Sequence, residues 1–188
     1  GATWYDEHLA SAATVNGETI TKDEFSKQLE INTFRTDYAQ RRIRTLLTAG
    51  QIRSSDAQAR LNVYDQRQQQ GATIALEQLI DGRIMEQLRA TPLTSAAGVE
   101  VARADDLARG DGGLPPTEGL RYYLADDSRI IVRPSGTEPK LKVYLEVVEP
   151  VTDEGGDGAG AGALREARER AATRLAGIRA DLEAATAL

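Results

Sequence analysis

The 188-residue chain contains no cysteine and a single histidine, His8. Without cysteine it forms neither disulfides nor thiolate zinc sites, and it has no cysteine nucleophile. One histidine cannot build a multi-histidine metal site, and a position this close to the N-terminus favours a solvated side chain over a catalytic base. These absences exclude several common enzyme classes but leave the binding of a small anion open.

Aromatic residues are also scarce, at 5% of the chain, so the core is expected to be mainly aliphatic. The chain has no stretch near the roughly 20 apolar residues that a membrane helix needs, and no signal peptide is recognisable. We therefore expect no membrane partner. The start at Gly1-Ala2, without methionine, indicates a processed or engineered N-terminus.

Positive charge is not in excess in either half of the chain. The net charge is −6, and it divides into −1 over residues 1–90 and −5 over residues 91–188. Binding to a phosphate backbone usually needs a basic surface, so we expect no nucleic-acid partner. A local nest of donors can still hold one small anion on an acidic protein.

Residues 1–90 have helical periodicity behind a short hairpin. Asn16-Gly17 between β-branched residues predicts the hairpin turn. Residues 21–24 (Thr-Lys-Asp-Glu) fit a capping box that starts a helix, and Gly50 is placed to end it. A second capping box is predicted at residues 55–58 (Ser-Asp-Ala-Gln), and a break or kink at Gly71.

The pattern changes at Thr91-Pro92, where proline predicts a helix stop. Strands are then predicted at 99–102, 119–124, 129–133 and 140–148, followed by a flexible Gly- and Asp-rich loop at 153–162 and a helix from about 163 to 186. The expected fold is α+β. Its N-terminal part (1–90) is a mainly helical module with a short hairpin, and its C-terminal part (91–188) is a small antiparallel or mixed sheet covered by the C-terminal helix.

The loop between the last two predicted strands has the residues of a phosphate site. It reads Arg-Pro-Ser-Gly-Thr-Glu-Pro over residues 133–139. Gly136 lets the backbone approach a ligand, Ser135 and Thr137 offer hydroxyl donors, and Arg133 offers a planar fork for two oxygens. Lys142, on the following strand, can add charge. By chemistry alone, a phosphate site and an ordinary turn are equally good interpretations.

The longer segment RIIVRPSGTEPKLKVYLEV, residues 129–147, closely resembles the C-terminal domain of α-D-phosphohexomutases, the family of phosphoglucomutase and phosphomannomutase. The resemblance covers about 91–188. It implies that this domain grips the phosphate of a phosphosugar through Arg133, Ser135, Gly136 and Thr137, with Lys142 as a weaker candidate.

Other parts that such a mutase needs are not recognisable in the sequence. The family uses a phosphorylated serine, an aspartate-rich loop that holds magnesium, and a separate loop that reads the sugar. No Asp-x-Asp-x-Asp segment occurs here. We therefore assign no catalytic residue, no metal ligand and no cofactor to this chain. The resemblance implies isomerase activity in the complete enzyme, and phosphosugar or inorganic phosphate as a weakly bound partner here.

The N-terminal part carries a different resemblance. Residues 13–35, ATVNGETITKDEFSKQLEINTFR, are similar to the N-terminal region of SurA-like, parvulin-type peptidyl-prolyl isomerases. This resemblance covers roughly 4–89 and implies the binding of unfolded, apolar polypeptide. The alternative is that the apolar stripe of this region is ordinary core; the stripe consists of Phe25, Leu29, Phe34 and Tyr38.

The two resemblances come from unrelated families and predict a chimera, natural or engineered, joined near Ala90-Thr91. Three functions stay open: a phosphate-binding module, a polypeptide-binding chaperone module, and a structural chimera with no activity. The mutase-like part favours the cytoplasm and the SurA-like part an exported protein, so the localisation is left unknown.

Overall fold

The computed structural model describes residues 11–15, 17–110, 115–135, 138, 140–151 and 160–186. Within these ranges the chain has four helices and two antiparallel sheets, which confirms the predicted α+β class. It divides into two compact units, Gly1–Arg83 with Thr137–Lys140, and Ile84–Gly136 with Leu141–Leu188. The boundary predicted between residues 90 and 91 stays a prediction.

The first unit is a hairpin followed by helices, as predicted. The hairpin pairs β1 (Ser11–Val15) with β2 (Glu18–Thr21). Gly17 has a φ of 82°, a left-handed conformation that glycine adopts without strain, as the predicted turn requires. Asn16, its predicted partner in the turn, lies outside the described residues. The helices are α1 (Lys22–Thr48), α2 (Ser54–Gln69) and the first part of α3 (Gly71–Ala90).

The capping box predicted at residues 21–24 starts α1. The Thr21 hydroxyl accepts a hydrogen bond from the Glu24 amide at 3.2 Å, and the Thr21 amide donates to the Glu24 carboxylate at 2.8 Å. Arg83 pairs with the same carboxylate. The hydrogen bond from the Thr21 backbone is the main reason why the pKa of Glu24 lies below its ordinary value. The capping box therefore satisfies two backbone amides and also holds the Glu24 carboxylate beside Arg83.

The capping box predicted at residues 55–58 is wrong. Helix α2 begins at Ser54, and its N-cap residue, Arg53, makes no side-chain capping bond. Arg53 instead pairs with Asp56, with Nε and Oδ2 3.0 Å apart. The Asp56 carboxylate lies in the first turn, where it interacts favourably with the positive end of the helix dipole. This interaction takes the place of a hydroxyl cap. At Gly71 the chain shows a break, since α2 ends at Gln69 and α3 begins at Gly71.

The second unit contains a five-stranded sheet with each strand antiparallel to its neighbours. The spatial order follows the chain: β3 (Ser95–Ala96), β4 (Val99–Asp106), β5 (Leu120–Leu124), β6 (Arg129–Pro134) and β7 (Leu141–Glu146). A 3₁₀ turn, Leu107–Arg109, follows β4, and the final helix is α4 (Gly160–Thr186).

Several boundaries differ from the sequence expectation. Strand β4 continues to Asp106 instead of ending at residue 102, because residues 103–106 pair with β5 even though three of those four are polar. Helix α4 begins at Gly160, before the predicted start near 163. Most of the predicted flexible loop at 153–162 lies outside the described residues.

The core of the second unit lies against one face of this sheet. Alternate residues of β5 and β6 are buried there, together with apolar residues of α4. Side chains on a strand point alternately to the two faces, so the intervening residues form a second, polar face. The hydroxyl of buried Tyr122 donates to the Leu88 carbonyl of α3 at 3.5 Å. The buried residues of β5, β6 and α4 are Leu120, Tyr122, Leu124, Ile130, Val132, Ala167, Ile178 and Leu182.

Replacing Thr21 by alanine should lower the free energy of unfolding by about 1 kcal/mol, because the Glu24 amide loses its acceptor. Urea denaturation followed by circular dichroism measures this loss. Thr33→Ala is the matched control, since its exposed hydroxyl bonds only to the Leu29 carbonyl inside the same helix. An equal loss in the two variants would contradict a capping role.

The stability that the capping box contributes should depend on pH. The pKa of Glu24 is depressed in the folded chain, so the associated stability is present above the ordinary carboxyl pKa of about 4.3 and is lost as the pH falls through the folded value. Glu24→Gln should therefore lose less stability than the parent chain between about pH 6 and pH 3. Parallel denaturation curves across that range would contradict this.

Candidate functional site

The predicted phosphate loop begins and ends on paired strands. In the β6–β7 register Arg133 lies directly opposite Lys142, and Pro134 lies opposite Leu141. Directly opposed residues of an antiparallel pair point to the same face, so these two cations stand together at the base of the loop. Ser135 follows β6 immediately and is half-buried. The structure thus brings together Arg133, Lys142 and the start of the loop.

Tyr144 is the nearest polar partner of Arg133. It lies opposite Ile131 in the same register and therefore shares the face of Arg133 and Lys142. The Arg133 Nη2 donates to the Tyr144 hydroxyl at 3.5 Å, and the guanidinium carbon lies 5.7 Å from the centre of the ring. This hydrogen bond is the main cause of a pKa of Tyr144 below its ordinary value. The predicted site did not include Tyr144, although its alternation with Lys142 along the strand was the available signal.

Gly136 and Thr137, two of the predicted phosphate contacts, lie outside the described residues. Glu138 and Lys140 form an ion pair, with Oε2 and Nζ 3.0 Å apart. Strand β7 begins at Leu141, after this pair.

The other arginines on this polar face are neutralised by acids or stacked on an aromatic ring. Arg129, four residues before Arg133, pairs with Glu146. Arg121 pairs with Asp105 at 2.9 Å, and Arg103 stacks 4.2 Å from the centre of the Tyr123 ring. Within the part of the chain that the structure describes, no carboxylate pairs with Arg133. Its guanidinium is therefore the one in this row best able to accept an external anion.

The described residues hold no cluster of three or more His, Cys, Asp or Glu side chains suited to a metal ion. Among the helices that the structure describes, none is both long enough and apolar enough to span a bilayer. Arg133 and Lys142, opposed across β6 and β7, form a small cationic patch on one face of the sheet.

The region that contains this loop is similar to a known protein family. Residues 79–154 match the model of the phosphoglucomutase/phosphomannomutase C-terminal domain. The match supports the mutase resemblance, and it begins inside α3, upstream of residue 91. The predicted phosphate loop and both strands that flank it lie within the matched segment.

One curated relative is a probable phosphomannomutase of Haemophilus influenzae. It is 42% identical to this chain over 65 residues, which are 35% of this chain and 13% of the relative. The match thus spans a small part of the relative's length. No solved structure matches the chain at a significant level.

Arg133→Ala should raise the pKa of Tyr144 toward the ordinary tyrosine value of about 10, because the main cause of its depression is removed. The titration of the tyrosine ring carbons, followed by NMR and assigned with Tyr144→Phe, measures this. Arg129→Ala is the control, since Arg129 pairs with Glu146 and makes no described contact with Tyr144. A Tyr144 titration that is unchanged in Arg133→Ala would contradict the contact.

Proposed function

We propose that the C-terminal part of the chain, residues 91–188, is a phosphate-binding module of phosphohexomutase type, which holds the phosphate of a phosphosugar and has no catalytic activity by itself. The observation that carries the proposal is the opposition of Arg133 and Lys142 at the base of the loop. Two cations on adjacent strands, one of them without a described carboxylate partner, form a fixed receptor for a dianion.

Each residue of the site has a distinct part in this proposal. The guanidinium of Arg133 would grip two phosphate oxygens, and the Lys142 ammonium would add charge from the facing strand. The Ser135 and Thr137 hydroxyls would donate to the remaining oxygens, and Gly136 would let the loop amides approach. Glu138 would shape the loop, since its carboxylate is paired with Lys140.

Turnover needs parts beyond this module. Phosphoryl transfer depends on a metal that neutralises charge and on exact positioning of the reacting oxygens. The matched segment is 13% of the length of the related phosphomannomutase. In this proposal, a complete mutase binds magnesium and has isomerase activity. This module contributes the residues that bind the phosphate.

The full chain should bind inorganic phosphate and hexose phosphates with a dissociation constant of about 1 mM, because one bidentate contact and a few hydrogen bonds net roughly 4 kcal/mol. Chemical-shift titration of the backbone amides measures it, with changes expected at residues 133–138. Arg133→Ala should weaken binding more than Ser135→Ala, since it removes a charge. Arg129→Ala, on the same strand and face, is the matched control and should bind normally.

Binding should fall with added salt and depend little on the sugar, since every proposed contact is to phosphate. A coupled assay on glucose 1-phosphate or mannose 1-phosphate with magnesium should show no turnover. The proposal fails if no amide responds at the highest phosphate concentration, or if the changes are spread over the whole surface and persist in Arg133→Ala. Turnover above background would refute the non-catalytic part.

A second candidate function is the binding of unfolded polypeptide by the first unit. The observation that favours it is an exposed apolar stripe on α1, where Phe34 is 72% exposed, Tyr38 62% and Ile31 38%. These residues recur at helical spacing and form one face. The alternative that the whole stripe is core is wrong for Phe34 and Tyr38, whereas Phe25 and Leu29 are half-buried. Exposed apolar faces of this kind are typical of interaction sites.

The full chain should slow the aggregation of a chemically denatured client protein without nucleotide. The double variant Phe34→Ser/Tyr38→Ser should lose this effect, because the exposed face becomes polar. Val151→Ser, which changes a residue that is 51% exposed in the other unit, is the control. Light scattering measures aggregation. No effect of the parent chain here and no phosphate response at residues 133–138 would together favour a structural chimera without activity.

A further inference from the structure

A groove of about 660 Å³ runs between α1 and α2 in the first unit. Its floor is apolar: Ile43 is buried, Val63 is 54% exposed and Tyr38 is 62% exposed. Tyr38 also belongs to the exposed stripe that begins at Ile31 and Phe34, so groove and stripe form one continuous apolar surface. This surface can accept an elongated apolar ligand.

The rim of the groove is cationic. Arg42 on α1 and Arg60 and Arg67 on α2 line it, and no acidic residue does. Among the described residues, neither Arg42 nor Arg60 has an ion-pair partner. Arg53, at the start of α2, shows the usual alternative, since it pairs with Asp56. A chain of net charge −6 thus presents a local surface of opposite sign beside exposed apolar side chains.

We propose that this groove binds an acidic amphipathic helix of a partner protein. A groove between two helices suits a helix whose anchors recur at i, i+3, i+4 and i+7. The apolar stripe of such a helix would cover Tyr38 and Val63, and glutamates or aspartates beside that stripe would meet the arginines of the rim. This inference rests on the second candidate function, the binding of polypeptide by the first unit. It narrows that binding from unfolded chains in general to helices that carry acidic residues.

Other occupants fit the groove less well. A purely apolar segment would leave Arg42 and Arg60 without counter-charges. A nucleic acid would satisfy the arginines but not cover the apolar floor. A second copy of this chain would bring the same three arginines to the contact, and like charges that face each other disfavour association. An acidic helix satisfies both the floor and the rim.

The test uses a fluorescent synthetic helix with leucines at the anchor positions and glutamates beside them. Its binding to the full chain is followed by fluorescence anisotropy. Two peptides serve as comparisons: one with every glutamate replaced by lysine, and one with the same composition in scrambled order. The acidic helix should bind at least about tenfold more tightly than either comparison, with an affinity that falls as salt is added.

Variants of the chain locate the binding site. Arg42→Glu and Arg60→Glu should each weaken binding of the acidic helix by about tenfold, because attraction becomes repulsion. Both should improve binding of the lysine peptide, a gain that damage to the fold would not produce. Arg44→Glu is the matched control, since two residues turn α1 by about 200° and place Arg44 on the side away from the groove.

Several outcomes would overturn the inference: equal binding of the acidic and lysine peptides, no binding of the acidic helix, or an equal loss in Arg44→Glu. Sedimentation that shows a dimer abolished by Arg60→Glu would assign the groove to a second copy and also overturn it. The aggregation assay separates the two proposals. Suppressed aggregation without charge preference refutes the acidic helix alone, and selective peptide binding without suppressed aggregation refutes the chaperone function alone.

Discussion

The antiparallel pairing of β6 with β7 is the constraint on which the candidate phosphate site depends. In this register Val132 and Val143 face the core side, while Arg133 and Lys142 face the other side. A slip of one residue would exchange the two faces, placing charges against the core and valines at the base of the loop. Burial of Ile130 and Val132 fixes the register of β6. The hydrophobic core therefore determines the positions of Arg133 and Lys142, which lie on the opposite face of the sheet.

Local signals explain what could be predicted from the sequence. The capping box of Thr21 and Glu24 and the turn at Gly17 were identifiable because a few adjacent residues satisfy each other's hydrogen bonds. Strand β4 was predicted too short because its last residues are held by β5, a partner distant in sequence. The second capping box failed because a charge near the helix start can replace a hydroxyl there. In the site, Arg133 and Lys142 followed from the motif and the alternation of strand residues, but the contact of Arg133 with Tyr144 required the register.

Net charge proved a poor guide to local surfaces. The chain is acidic as a whole, yet both surfaces proposed to bind a ligand are cationic. The difference lies in pairing: Arg129, Arg121 and Arg53 each face a carboxylate, whereas Arg133 and Arg60 face none that is described. An arginine already neutralised by its neighbour contributes little to an external anion. Counting charges along the sequence cannot separate these two kinds of arginine, because pairing is a property of the fold.

Strand β7 lies at the outer edge of the five-stranded sheet, with Val143 45% and Tyr144 47% exposed. An outer strand with exposed apolar side chains offers its free backbone groups to any extended chain, and lysines on such a strand oppose that pairing. Lys142 therefore has an effect that does not depend on a ligand. Its charge opposes the pairing of β7 with an extended strand of another molecule. A bound dianion would neutralise that charge, so occupancy of the loop and the tendency to self-associate would rise together. If the loop binds phosphate as proposed, the solubility of the folded chain would depend on the phosphate concentration around it.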